Sequence, residues 1–113
     1  MRPRTLLAAL SFAACATSAA VSPAAAIESI DCRADLGRAE RTICGSERLQ
    51  ILDAQVTQAY ADIMLDSRVR ASIKQAVYDS QIEFLRRRNA CGSDRECLAG
   101  VMERRASRIR FYL

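Results

Sequence analysis

The chain has 113 residues, a formal net charge of +4, five cysteines and no histidine. That length allows at most one domain. The missing histidine excludes Ser-His and Cys-His nucleophile systems and removes the commonest metal ligand. The charge is too small a bias to argue for nucleic acid, and four scattered glycines form no phosphate-cradling loop.

Taken in order, residues 1–26 read as a secretory signal peptide. Arg2 and Arg4 supply the charged start, LLAALSFAA from Leu6 the apolar centre, and Ala24-Ala25-Ala26 the small-residue exit. The apolar run is far short of the roughly 20 residues that span a bilayer. Cleavage after Ala26 leaves 27–113, an 87-residue chain starting at Ile27 with a net charge of +2 once Arg2 and Arg4 are gone. Phe12-Ala13-Ala14-Cys15 offers an alternative, a loose bacterial lipoprotein box in which Cys15 would be lipidated and anchor the protein. Otherwise Cys15 leaves with the leader. Either way the chain is expected to be exported, periplasmic or extracellular.

A short helix is expected over about 34–43. It ends at Cys44-Gly45-Ser46-Glu47-Arg48, which returns as Cys91-Gly92-Ser93-Asp94-Arg95. In each copy Gly suits the left-handed position past a helix end. Ser suits the N-cap of the next helix, with an acid in its first turn. Glu96 three residues after Ser93 completes a capping box. Between the copies, Leu49, Leu52, Val56, Tyr60 and Ile63 fall at helical spacing and predict a helix over 47–65. Asp66-Ser67 then forms a turn. Val69, Ile73, Val77 and Phe84, with Gln81 in the vacant step, predict a second helix over 68–90. After Ser93, Leu98, Val101, Met102, Ile109 and Tyr112 carry a third nearly to the end. No window alternates as a strand does, and no proline follows Pro23. The expected fold is all-α: a small disulfide-stapled helical bundle of one short and three longer helices.

Without Cys15, four cysteines remain: Cys32, Cys44, Cys91 and Cys97. An even number in a short exported chain implies a disulfide framework, of which four cysteines allow three pairings. A domain this small buries a limited core and gains from such staples. Local pairing is preferred: Cys32–Cys44 ties down the N-terminal segment and Cys91–Cys97 locks a helical corner. Each short loop is worth about 2 to 3 kcal/mol. Crossed pairing would require the two corners to meet in space. The spacings do not match short zinc knuckles, and no cofactor is expected.

Four polar residues lie on or beside the apolar stripes: Glu40, Asp53, Gln81 and Arg88. Glu40 and Asp53 could run acid–base hydrolysis as a carboxylate pair, but residue type alone supports that, and no enzymatic activity is expected. As a group the four read either as a binding patch or, preferred here, as a buried network with an Asp53–Arg88 ion pair that fixes helix register. Arg86-Arg87-Arg88 and the tail ERRASRIR (103–110) are locally basic. They read as a solvated face with partners such as Glu83–Arg87, or as a contact for anionic envelope lipid.

Cys32, Ala39-Glu40, Ile43-Cys44, Leu49, Leu52-Asp53 and Tyr60 make up the first half of a pattern. Gln81-x-x-Phe84-Leu85-x-x-Arg88-Asn89-x-Cys91, Cys97-Leu98 and Arg108-Ile109 make up the second. Together they resemble the LprI-like lysozyme-inhibitor family of secreted bacterial proteins, across nearly all of 27–113. Many members carry Trp where this chain has Phe84. The resemblance implies an exported helical module and, for the namesake, inhibition of lysozyme. The expectation is a non-enzymatic inhibitor that blocks the sugar cleft of a lysozyme or another peptidoglycan hydrolase by steric occlusion. Animal-type lysozymes are strongly basic, and an inhibitor could meet one through a local acidic patch such as Glu28 and Asp31, or through an inserted loop. The alternative is an envelope interaction module that binds another protein or an anionic envelope surface, with membrane contact through a lipidated Cys15 or the basic C-terminal helix.

Overall fold

A computed structural model describes residues 29–113. Residues 1–26, read from the sequence as a signal peptide and containing Cys15, lie outside them, as does Glu28. Among the described residues there are four α-helices and no strand: α1 (Arg38–Cys44), α2 (Glu47–Met64), α3 (Ala71–Ala90) and α4 (Arg95–Arg108). A closing 3-10 turn, η1 (Ile109–Tyr112), follows directly.

The helix ends follow local hydrogen bonding. Expected from 34, α1 instead begins at Arg38. Asp31 holds the preceding chain in a turn, its carbonyl accepting from Ala34 N (3.0 Å) and its Oδ1 from Arg33 N (3.0 Å). Gly37 is extended and donates its N–H to Glu40 Oε1 at 3.4 Å. Those N–H groups are thus engaged before a helix can form, and Glu40 caps the first free turn.

The two Cys-Gly-Ser joints differ. At the first, Ser46 is the N-cap as expected, its Oγ accepting from Leu49 N at 3.4 Å. Gly45, however, has φ −84° and needs no left-handed backbone. At the second, Gly92 is left-handed at φ 57°, but the N-cap is Asp94 rather than Ser93. The Asp94 Oδ1 accepts from Cys97 N at 3.0 Å. A carboxylate at that point satisfies the orphan N–H and also meets the positive end of the helix dipole, which a hydroxyl does only weakly. The capping box expected between Ser93 and Glu96 is therefore displaced. Between α2 and α3, Asp66 Oδ1 accepts from Arg68 N (2.9 Å) and Asp66 O from Val69 N (3.2 Å). This turn delays α3 to Ala71.

The disulfides are the local pair, Cys32–Cys44 and Cys91–Cys97, with Cα–Cα distances of 5.7 and 5.6 Å. The first holds the N-terminal segment against the end of α1. The second braces the α3–α4 corner. By the loop-closure relation they contribute about 3 and about 2 kcal/mol respectively. They are compatible with an exported location, and among the described residues no helix is long and apolar enough to cross a membrane.

Helix α2 packs most extensively on α4, and α1 lies across α2, α3 and α4. The core has two parts. One gathers Ile43, Leu49, Val56, Phe84, Leu98 and Met102, with Ile30 of the N-terminal segment packed against them. The other gathers Tyr60, Ile63, Val77 and Ile109. Along α3 the residue between the two parts is Gln81; along α4 it is Arg105. Both are buried.

Candidate functional site

The N-terminal segment, α1, α2 and α3 enclose a cleft of about 390 Å³ lined by Glu40, Asp53, Gln81 and Arg88. All four polar residues singled out in the sequence therefore share one opening. They do not form one network.

Asp53 and Arg88 are the centre. Helix α2 turns Asp53 inward beside Leu52 and Val56, and α3 turns Arg88 inward one turn after Phe84; both are buried. Asp53 Oδ2 accepts from the backbone N–H of Ile30 at 3.2 Å. Its Oδ1 lies 3.9 Å from Arg88 Nη1, at the outer edge of ion-pair range. The Arg88 fork is fixed from the other side, where Nε and Nη2 donate to Asn89 Oδ1 at 3.1 and 3.0 Å. Burial pushes the Asp53 carboxyl above its ordinary value. The Ile30 N–H and the Arg88 charge pull it down, and Glu40 adds a smaller upward push. Burial likewise lowers Arg88, against the opposing pull of Asp53 and Glu40. Desolvation being the first cause for both, the pair is held more by its surroundings than by its own attraction.

Glu40 is half-buried and serves the Gly37 cap. Gln81 turns toward α4: its Oε1 accepts from Arg105 Nε (3.1 Å) and Nη2 (2.9 Å). Ser80 Oγ accepts from Arg105 Nη1 at 3.0 Å, and the guanidinium lies 5.8 Å from the Phe84 ring centroid. The sequence reading missed Arg105. The signal was present, because 98, 102, 105 and 109 make a helical stripe whose third member is Arg instead of an apolar residue. Its partner Gln81, 24 residues back in α3, carried the same mark as the polar member of an apolar stripe.

The rim of the cleft is acidic. Asp31, Asp35 and Glu40 line it with Asp53, and among the described residues Arg88 is the one base in the lining. Exposed Arg33 approaches Asp31 at 3.7 Å, a surface pair worth little. Elsewhere, Glu83 pairs with Arg87 as expected, at 3.1 Å, and also with Arg86 at 2.8 Å. Among the described residues no three metal-binding side chains converge on one point. Comparison with protein-family models, curated proteins and solved structures gives no match for this chain.

Proposed function

We propose that the protein is an exported, non-catalytic inhibitor that binds a lysozyme or related peptidoglycan hydrolase and blocks its sugar cleft. The observation that carries this reading is the acidic cleft, in which Asp31, Asp35, Glu40 and Asp53 face one guanidinium. Animal-type lysozymes are strongly basic. The overall charge of the exported chain gives no long-range attraction to such an enzyme, but a local acidic rim gives complementarity where the surfaces meet. The disulfides fit an extracytoplasmic setting, and the resemblance to LprI-like inhibitors points the same way.

Asp53 and Glu40, the carboxylate pair weighed for hydrolysis, both have structural work, which argues against that chemistry. Asp53 anchors Ile30 beside Arg88, and Glu40 caps α1. A general acid or base needs a carboxyl that can reach a substrate proton. The test is a turbidity assay on peptidoglycan with the oxidised protein from Ile27 onward. Inhibition of at least one lysozyme type is expected; none by any type at high micromolar excess refutes the reading.

A further inference from the structure

A second pocket, about 230 Å³, lies between α3 and α4. Four of its lining residues are Arg87, Arg104, Arg105 and Arg108, and among the described residues its one carboxylate is Glu83. That carboxylate is already engaged, by Arg86 at 2.8 Å and Arg87 at 3.1 Å. Among the described residues, Arg104, Arg105 and Arg108 have no carboxylate within ion-pair distance.

Arg105 sets this pocket apart from a solvated basic face. It is only 8% exposed. A buried charge is costly without an opposite charge beside it, and the other buried arginine, Arg88, has Asp53. Arg105 has neutral acceptors alone, Gln81 Oε1 and Ser80 Oγ, with Phe84 against its face. These contacts take one proton each from Nε, Nη1 and Nη2 and fix the plane of the fork. The second protons of Nη1 and Nη2 remain, and the Tyr112 hydroxyl in the pocket wall engages one of them. A guanidinium held in one orientation, with a donor left over and more guanidinium groups around it, matches a tetrahedral oxyanion.

We infer that the α3–α4 pocket is a phosphate-binding site that takes the phosphate group of a soluble ester or of a lipid headgroup. Size limits the ligand. At about 30 Å³ per water the pocket holds roughly eight waters' worth of volume. That admits a phosphate and the first atoms of its stem, but is below the 300 Å³ or so typical of sites that enclose a whole small molecule. The rest of the ligand therefore lies outside, along exposed Arg104 and Arg108. The site shares no charged residue with the acidic cleft and stands whether or not the protein inhibits lysozyme.

The test uses the oxidised chain from Ile27. Inorganic phosphate and glycerol 3-phosphate are titrated by phosphorus NMR. Vesicles of phosphatidic acid in phosphatidylcholine are compared, by flotation, with phosphatidylcholine alone. Arg104→Gln/Arg108→Gln alters two exposed side chains, so the fold is retained. Arg70→Gln/Arg110→Gln removes the same charge outside the pocket. Arg105→Lys keeps the charge and loses the fork. Binding should weaken at least about tenfold in the Arg104/Arg108 variant and in Arg105→Lys, since hydrogen bonds to charged groups are the strong ones. The Arg70/Arg110 control should stay within about twofold. Binding of soluble esters and vesicles alike, lost in the pocket variant, assigns any phosphate ester; binding of vesicles alone, lost in the same variant, assigns a lipid headgroup. Three results overturn the inference: no phosphate ligand bound at millimolar concentration, equal loss in the control, or undiminished binding in the pocket variant.

Discussion

Replacing Arg88 by Met removes the counter-charge of a buried carboxylate while keeping an unbranched apolar stem in its place. Breaking a buried pair by deleting one partner costs about 3 to 5 kcal/mol. The 3.9 Å gap and the hydrogen bond from Ile30 place this pair at the low end, near 3 kcal/mol. Each kcal/mol moves Tm by about 4 to 8 °C in a domain of this size, so a fall on the order of 12 to 24 °C is expected. The pH dependence has a definite sign. Burial raises the folded-state pKa of Asp53, and Arg88 opposes that rise; without Arg88 the folded value climbs further above the unfolded one. A group raised in this way gives its full stability below the unfolded pKa and loses it as pH rises through the folded one. The deficit of Arg88→Met is therefore largest at neutral pH and narrows on acidification toward the carboxylate range. Adding Asp53→Asn should recover most of the loss, since the amide oxygen still accepts from Ile30 N and no charge stays buried; the coupling is read from the double-mutant cycle. Circular-dichroism melts of the four proteins at pH 7 and pH 5 measure all of this. An unchanged Tm in Arg88→Met, or a deficit that widens on acidification, refutes the reasoning.

Other expectations rest on different parts of the fold. The Tyr60 hydroxyl is buried with no hydrogen-bond partner among the described residues. Tyr60→Phe should therefore stabilise by up to about 1 kcal/mol, and a loss of that size in a denaturant titration would show a hidden partner. The two joints should separate cleanly. Gly92→Ala at φ 57° costs roughly 1 to 2 kcal/mol. Gly45→Ala, whose added Cβ meets neighbours no closer than 3.6 Å, should be close to neutral; equal costs would contradict the geometry. Replacing both Cys32 and Cys44 by Ser should cost about 3 kcal/mol, against about 2 for Cys91 and Cys97. In the first case hydrogen exchange at the Ile30 N–H should also rise, because the segment it belongs to loses its tether.

Much of this was legible in the chain, for physical reasons that differ by element. The span of α2 was open to reading because its inward face is an apolar stripe through Leu49, Val56, Tyr60 and Ile63, all buried and broken by Asp53 alone, and Ser46 is a strong cap. The joints were legible as joints because Gly and Ser interrupt the stripe, but not which side chain caps α4. Ser93 and Asp94 are both good acceptors, and the choice falls to the one that also suits the helix dipole. The start of α1 was lost to a turn made by Asp31, whose effect on Arg33 and Ala34 is local but competes with an equally plausible helical start. In the site, the inward placement of Asp53, Gln81 and Arg88 followed from periodicity. The division into Asp53–Arg88 and Gln81–Arg105 did not, since periodicity tells which residues face inward and not which of them meet. The acidic rim was half visible in Asp31; Asp35 and Glu40 join it only when α1 folds over α2.

The proposed inhibition stands or falls most directly on a calorimetric titration of the oxidised chain from Ile27 against a basic lysozyme. It is run at low and at physiological salt beside Asp31→Asn/Asp35→Asn, a variant confined to the exposed rim. The wild-type chain should bind, more weakly as salt rises, and the variant should lose about fivefold to tenfold in affinity at an unchanged Tm. No measurable heat of binding, or a variant that binds as tightly as the wild type, would contradict the acidic cleft as the docking face.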